Sequence, residues 1–152
     1  WKGAHEQQNE LLAVQCFGNF EVFWGGIPLH FQRSKSKELL AYLVDRRGAS
    51  CTIGELIGIL WEDKSETRSL RSQCRNLIYD LRKTFQRNGI KDILIRSRNS
   101  VAIDCHMLDC DYYRFLDHDA AAVNQYRGEY MAQYSWAEMT IANLENMSKQ
   151  AE

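Results

Sequence analysis

Residues 66–85, ETRSLRSQCRNLIYDLRKTF, have the pattern of an amphipathic helix with a basic face. Apolar side chains recur at spacings of three and four and form one stripe: Leu70, Cys74, Leu77, Ile78, Leu81 and Phe85. A second face carries Arg71, Arg75, Tyr79 and Arg82, and Arg68 extends it toward the N-terminus. A charge run of this kind is usually only the solvated side of a helix. Here, however, the positive charges are not interleaved with glutamates four residues away, as they are in a helix balanced by ion pairs.

Two further helices are predicted before this segment. Residues 34–49 repeat apolar side chains at helical spacing, and Ser34 or Ser36 can cap the start. Thr52 opens the second helix, and Glu55 three residues later completes the pattern of a capping box. The basic helix, predicted over 66–86, is therefore the later member of a helix-turn-helix pair.

A basic hairpin follows the pair. The runs ILIRSR and VAIDC predict two strands within residues 93–105, joined at Asn99 and Ser100. Arg96 and Arg98 lie near its tip. A helix-turn-helix followed by a β-hairpin is the layout of a winged helix, in which the second helix of the pair enters the DNA major groove.

The two ends of the chain have other patterns. Residues 1–10 are polar and aperiodic, which predicts a linker or tail. LLAVQCFG, NFEVFW and IPLHF predict three short strands of an antiparallel sheet. Residues 106–152 are acidic, aromatic and helical in pattern, with runs such as AAAVNQYRGEYM. The prediction is an α+β chain: a winged helix-turn-helix domain over 11–105, with an N-terminal antiparallel sheet and a C-terminal hairpin wing, followed by a short α-helical extension over 106–152.

The net charge of -1 hides an uneven distribution. Residues 66–98 hold 9 basic and 3 acidic groups, whereas residues 104–152 hold 3 basic and 9 acidic groups. Such asymmetry indicates a charged partner for the basic part. No apolar run approaches the ~20 residues of a membrane span, and no secretory signal is visible, so we expect a cytoplasmic protein with no membrane partner.

Catalytic and metal sites are not predicted. The four histidines have no serine or cysteine partner at a motif spacing, and no phosphate-binding loop is present. His118, between Asp117 and Asp119, is more typical of an exposed loop than of a cation site. The five cysteines lack a C-x-x-C pair and are expected to be reduced thiols; the group Cys105, His106 and Cys110 lacks the paired spacing of zinc modules. We therefore expect no enzyme, no cofactor and no metal.

The order of sheet, helices, basic helix and hairpin, with LRKTF closing the third helix, resembles the OmpR/PhoB-type winged-helix effector domain of bacterial response regulators. FQRSKSKELLAYLVDRRGA, IGELIGILWED and DCDYYRFL…YRGEYMAQYSWAE are similar more narrowly to the antibiotic-regulatory-protein (SARP-like) regulators. In those proteins a helical bacterial transcriptional activator domain of tetratricopeptide character follows the winged helix. The resemblance covers about residues 11–145, and residues 106–152 would be the start of, or a truncated form of, that activator domain.

This resemblance implies a sequence-specific DNA-binding transcriptional regulator, the effector part of a two-component-type response regulator. Its recognition helix would be 66–86, with the DNA-binding groups Arg68, Arg71, Arg75, Asn76, Tyr79, Arg82 and Lys83. The wing would use Arg96, Arg98 and Asn99, and phosphate would be bound near the first helix by Arg33, Lys35 and Lys37.

Double-stranded DNA is the expected partner, with RNA polymerase and a second copy of the chain on DNA as further candidates. The alternative hypothesis is a protein-interaction module without direct DNA binding. In that interpretation the acidic aromatic helices near the C-terminus bind a partner, and the basic helix only pairs with them.

Overall fold

A computed structural model describes residues 10–91 and 93–151 of the chain. The linker predicted over residues 1–10 lies, apart from Glu10, outside the described residues. In chain order the elements are β1 (Leu12–Gln15), β2 (Glu21–Trp24), β3 (Ile27–Pro28), α1 (Ser34–Asp45), β4 (Cys51–Thr52), α2 (Ile53–Leu60), α3 (Arg68–Arg87), β5 (Leu94–Arg96), β6 (Ser100–Ile103), β7 (Leu108–Cys110), α4 (Asp111–Leu116), α5 (Ala120–Gln125) and α6 (Glu138–Ala151). Short 3-10 turns span Cys105–Met107 and Ser135–Ala137. This is the mixed α+β class that the sequence predicts.

The chain divides into two compact units. Residues 30–105 carry 15 basic and 9 acidic groups, and we call them the basic unit. Residues 1–29 and 106–152 carry 4 basic and 11 acidic groups, and we call them the acidic unit. The two units therefore separate the charge that nearly cancels in the whole chain.

The basic unit combines three helices with a small antiparallel sheet of strand order β4-β6-β5. The hairpin β5-β6 pairs Leu94 with Ile103, and β4 pairs Cys51 with Val101. Its hydrophobic core consists of side chains from all three helices and the sheet, including Leu39, Leu40, Leu43, Leu56, Ile57, Leu77, Leu81 and Ile103. The predicted hairpin is present, whereas β4 is too short to show an alternating pattern in the sequence.

The apolar stripe of α3 is buried as its spacing predicts. Leu70, Cys74 and Leu77 are at most 4 % exposed, and Leu81 and Phe85 continue the same side. Thr67 caps α3, since its hydroxyl accepts the Leu70 N–H at 3.1 Å. The helix therefore begins two residues later and ends one residue later than its predicted range.

The predicted cap of α1 is wrong. The N-cap residue is Arg33, and no side chain caps the helix. The Ser36 side chain is instead buried, and its hydroxyl donates to Oδ2 of Asp80 in α3 at 2.7 Å. A buried acceptor on the neighbouring helix thus replaces the local cap.

One of the two hydrogen bonds of the predicted capping box is present at the start of α2. Thr52 Oγ1 accepts the Glu55 N–H at 3.1 Å. The Glu55 carboxylate accepts a hydrogen bond from the Tyr42 hydroxyl and lies 3.6 Å from Nε of Arg46. Burial, together with this hydrogen bond, raises the pKa of the Tyr42 hydroxyl above its ordinary value, so it remains a donor. Glu55 therefore joins α1 to α2.

The acidic unit contains a four-stranded mixed sheet of order β3-β2-β1-β7. β1 is antiparallel to β2 and parallel to β7, with Val14 opposite Cys110. The predicted domain 11–105 thus differs from the compact units, because its first three strands fall in the acidic unit. The cause is the pairing of β1 with β7, a strand of three residues that follows almost a hundred residues later.

The helices of the acidic unit are shorter than the sequence predicts. AAAVNQYRGEYM is helical only in α5, and Gly128 (φ 83°) and Met131 (φ 42°) interrupt it afterwards. Tyr130 is fully buried and bridges to Phe17. Phe17 also packs edge-on against Phe115 and Tyr126, so much of the aromatic content forms a core. None of the described helices is both long and apolar enough to cross a membrane.

Asp111 organises this unit from the start of α4. It is only 6 % exposed, and its Oδ1 accepts the Cys16 N–H at 2.8 Å while Oδ2 accepts the Phe17 N–H at 3.0 Å. Oδ1 also accepts the Tyr112 N–H at 2.8 Å. N-cap geometry belongs to Cys110, so Asp111 is not the cap of α4. The Asp111 carboxylate instead accepts the backbone N–H groups of Cys16 and Phe17, which directly follow β1.

We expect Asp111→Ala to lower the free energy of unfolding by about 2–4 kcal/mol, because it leaves buried N–H groups without acceptors. Urea unfolding followed by circular dichroism measures this change. Asp109→Ala is the matched control two residues earlier, since the exposed ion pair of Asp109 with Arg114 contributes at most about 1 kcal/mol. Equal losses in the two variants would contradict the role of Asp111.

The orientation of α3 can be tested with thiol chemistry. Burial raises the pKa of Cys74 to about 11, although Arg75 and Arg71 oppose the shift. A cysteine on the exposed face, introduced as Asn76→Cys, should keep a pKa near ~8.5. At pH ~8 we therefore expect iodoacetamide to modify the introduced thiol at least about a hundredfold faster than Cys74. Peptide mass spectrometry distinguishes the two sites, and comparable rates would contradict the buried stripe.

Candidate nucleic-acid interface

The basic face of α3 points away from the core of the basic unit. Arg68, Arg75 and Asn76 are exposed, and the Tyr79 side chain is 52 % exposed despite its size. Arg71, Arg82 and Lys83 are half-buried along the edges of this face. We call the seven residues just named the α3 face. Five of them are cationic, so the surface has the charge that phosphate groups require.

The tip of the β5-β6 hairpin lies beside this helix. Arg96, Arg98 and Asn99 are exposed there. The turn is held by the Ser97 N–H, which donates to the Ser100 carbonyl at 3.0 Å. The Asn99 carbonyl accepts the Ile53 N–H at 3.0 Å, which anchors the tip to the start of α2. The hairpin tip is therefore fixed to the same frame of helices that carries the α3 face.

One side-chain contact joins the tip and the helix directly. Nη2 of Arg75 donates to Oδ1 of Asn99 at 3.4 Å, a long hydrogen bond between two exposed groups. A bond of this kind contributes little stability on the surface. It does show that Arg75 and the hairpin tip lie close enough together to contact one ligand.

Two other cations of the α3 face have partners of their own. Arg71 forms an ion pair with Glu66, which lies just before the helix. Nζ of Lys83 lies 5.3 Å from the centre of the Tyr79 ring, within the range of a cation–π interaction. Both interactions limit the conformations of these long side chains.

The three cations near the start of α1 differ in their accessibility. Arg33 is exposed, and Lys37 is half-buried. Nζ of Lys35 donates to the Leu60 carbonyl at 2.6 Å and lies 5.3 Å from the Trp61 ring. Lys35 thus stabilises the C-terminal end of α2, where its positive charge is favourable. Phosphate binding by these three residues stays a prediction, and Arg33 is the most accessible of them.

Several polar residues of this surface were not predicted from the sequence. Ser72 is exposed on the same side of α3 as Arg68 and Arg75, and a helical-wheel projection places it there. Ser50 donates to Ser100 at 2.9 Å, and Ser100 contacts Ser97 in turn. No sequence pattern marks Ser50, Ser97 and Ser100 as a group, because the antiparallel pairing of β4 with β6 brings them together.

One group of potential metal ligands occurs among the described residues: Cys16, Cys110 and Asp111, all buried in the acidic unit. The two sulfur atoms are 3.6 Å apart. Both carboxylate oxygens of Asp111 already accept backbone N–H groups, so a metal would have to displace those bonds. The arrangement therefore fits a structural carboxylate better than a metal ligand.

The comparisons with known proteins concern the fold. No family model and no curated protein matches the sequence. Among solved structures, the chain is similar to Mycobacterium tuberculosis EmbR in complex with a low affinity phosphopeptide, with a TM-score of 0.75 and 20% sequence identity. The match covers 92% of this chain and 43% of the EmbR chain, so the present chain spans less than half of EmbR. At this identity the likeness shows that the two proteins share a fold.

Proposed function

We propose that the chain is a DNA-binding transcriptional regulator with a winged-helix arrangement. α3 is its recognition helix in the major groove, and the β5-β6 hairpin is its wing on the adjacent groove. The observation that carries the proposal is the position of the exposed, basic α3 face beside a basic hairpin tip, with Arg75 in contact with Asn99. These are the two elements that a winged helix directs at DNA.

The charge distribution supports DNA as the partner. The basic unit has 15 basic and 9 acidic groups, and several of the basic groups lie on the α3 face and the hairpin tip. Each phosphate neutralised by lysine or arginine releases counterions, which favours binding. The net charge of the whole chain hides this property because the acidic unit offsets it.

The residues of the surface fall into two roles. Arg75 and Asn76 lie on the exposed side of α3 and are suited to base edges, since arginine binds guanine and asparagine binds adenine with two hydrogen bonds. Arg68, Arg96 and Arg98 are suited to phosphate oxygens on either side of the groove. Phosphate contacts would position the protein, and the base contacts would supply specificity.

The regulatory class of the proposal is supported by fold. The chain shares its fold with EmbR, and this likeness supports a regulatory role. The sequence resemblance extends the proposal to the effector part of a SARP-like response regulator. RNA polymerase and a second copy of the chain on DNA remain proposed partners of the whole protein.

The alternative of a pure protein-interaction module has less support. It requires the aromatic side chains of the acidic unit to be available to a partner. Tyr112, Phe115, Tyr126 and Tyr130 are all less than 9 % exposed, since they pack on one another and on Phe17. Tyr79, which is 52 % exposed, lies instead on the basic α3 face.

Binding to duplex DNA tests the proposal directly. We expect fluorescence anisotropy with mixed-sequence duplexes to show binding that weakens with salt, with a slope near −0.9 for each neutralised phosphate. Arg75→Ala should cost roughly 1–3 kcal/mol on a selected site if it binds a base edge. Arg98→Ala should weaken binding to every sequence alike and reduce the salt slope by about one.

The matched control is Arg127→Ala, an exposed arginine of the acidic unit. It removes the same charge without touching the α3 face or the wing, so its affinity should equal that of the unaltered chain. An absence of binding at low salt would contradict the proposed function. Equal effects of Arg75→Ala and Arg127→Ala would contradict the assignment of α3 as the recognition helix.

A further inference from the structure

Glu66 is an acidic residue at the edge of an otherwise basic surface. It lies two residues before α3, in the loop between α2 and α3. Its Oε1 accepts a hydrogen bond from Nη1 of Arg71, and the two side chains are 45% and 36% exposed. A carboxylate in this position repels phosphate, so a surface built only for affinity would omit it.

The first turn of α2 provides a place for this carboxylate. A Cβ atom added to Gly54 would lie 3.3 Å from Oε2 of Glu66, which is tighter than most contacts of real Cβ atoms. Gly54 is the second residue of α2, where the free N–H groups of the helix favour negative charge. Glycine weakens a helix interior, and its small size here leaves room for the Glu66 side chain. One carboxylate oxygen thus faces α2, and the other holds Arg71 of α3.

We propose that Glu66 is a specificity-determining residue that acts by orienting Arg71 toward a base edge. This inference rests on the proposed DNA-binding function. Arg71 would be the residue that contacts the base, and Glu66 would be a positioning residue. The expected ligand edge is that of guanine, which arginine recognises with two parallel hydrogen bonds.

The chemistry of the guanidinium group supports this division of roles. It has five N–H donors in a rigid plane, and the contact with Glu66 uses Nη1 only. Nη2 and Nε remain to donate to the base. An arginine without such a partner can swing to the nearest phosphate, because phosphate is the stronger attraction and lies on every sequence. The Glu66 carboxylate therefore lowers the affinity for DNA of every sequence. It lowers the affinity least for a sequence that has the matching base where Arg71 contacts it.

Arg75 provides an internal comparison. Its partner is the neutral Asn99 at 3.4 Å, whereas the partner of Arg71 is charged and in close contact. The Arg75 bond has one ionised partner and is long, whereas the contact of Arg71 with Glu66 joins two opposite charges and is the stronger of the two. Arg71 is accordingly the more firmly oriented of the two arginines, and its contribution depends on Glu66.

Two substitutions separate the effect of the position of the Glu66 carboxylate from the effect of its charge. Glu66→Asp keeps the negative charge but shortens the side chain by one methylene, so it should not reach Arg71. Glu66→Gln keeps the length and removes the charge. Asp63→Asn is the control, because it removes a charge from an exposed residue of the same loop.

The measurement uses the full 152-residue chain and a duplex selected with it from random sequence, together with single-base variants of that duplex. Fluorescence anisotropy gives the ratio of affinities for the selected and the substituted duplex. We expect both Glu66 variants to lower this ratio roughly tenfold at one guanine, and Asp63→Asn to leave it unchanged. In an Arg71→Ala background, neither Glu66 variant should change the ratio further.

If Glu66→Asp kept the full ratio of affinities, the proposal would be overturned, because the negative charge alone would then account for the effect of Glu66. A loss that adds to that of Arg71→Ala would also overturn it, because Glu66 would then act independently of Arg71. Circular dichroism verifies that each variant is folded. These results differ from a failure of the proposed function, in which the unaltered chain itself would not bind the duplexes.

Discussion

The burial of one side of α3 is the constraint on which the candidate interface depends. Leu70, Cys74, Leu77, Leu81 and Phe85 share that side, and all are buried in the core of the basic unit. Removing this much apolar surface from water outweighs any preference of the charged side chains for another orientation. The arginines of α3 are consequently directed outward as a set, on a helix that is anchored in the core beneath them.

Polar contacts within the basic unit then determine how this surface is presented. Ser36 binds Asp80 between α1 and α3, and Glu55 binds Tyr42 between α1 and α2. The Asn99 carbonyl ties the hairpin tip to the start of α2. The first two bonds hold the helices to one another, and the Asn99 bond fixes the tip to α2. A DNA-binding surface formed by two elements requires such a frame, since both elements must fit one duplex at once.

In the acidic unit, one carboxylate continues the hydrogen bonding of the backbone beyond the end of the β1 ladder. The backbone N–H groups of Cys16 and Phe17 follow the end of β1, and Asp111 accepts both. The surrounding aromatic rings exclude water, which makes an unsatisfied N–H group costly there. The excess of acidic residues and the excess of basic residues lie in different units. The net charge of the whole chain therefore says little about the charge on the surface of either unit.

The sequence by itself determined the local features: the extent and buried stripe of α3, the Thr52 cap, the hairpin and the basic face, all of which depend on short-range periodicity. Tertiary structure alone decided the partners of individual side chains. Three contacts join residues that are well separated in the chain. β1 pairs with β7, Nζ of Lys35 donates to the Leu60 carbonyl, and the Glu66 carboxylate lies beside Gly54. Such contacts leave no periodic pattern, because they depend on where whole elements pack. The sequence identified the arginines of the candidate interface but not the carboxylate that holds Arg71, because Glu66 lies before the helix begins and outside its periodic pattern.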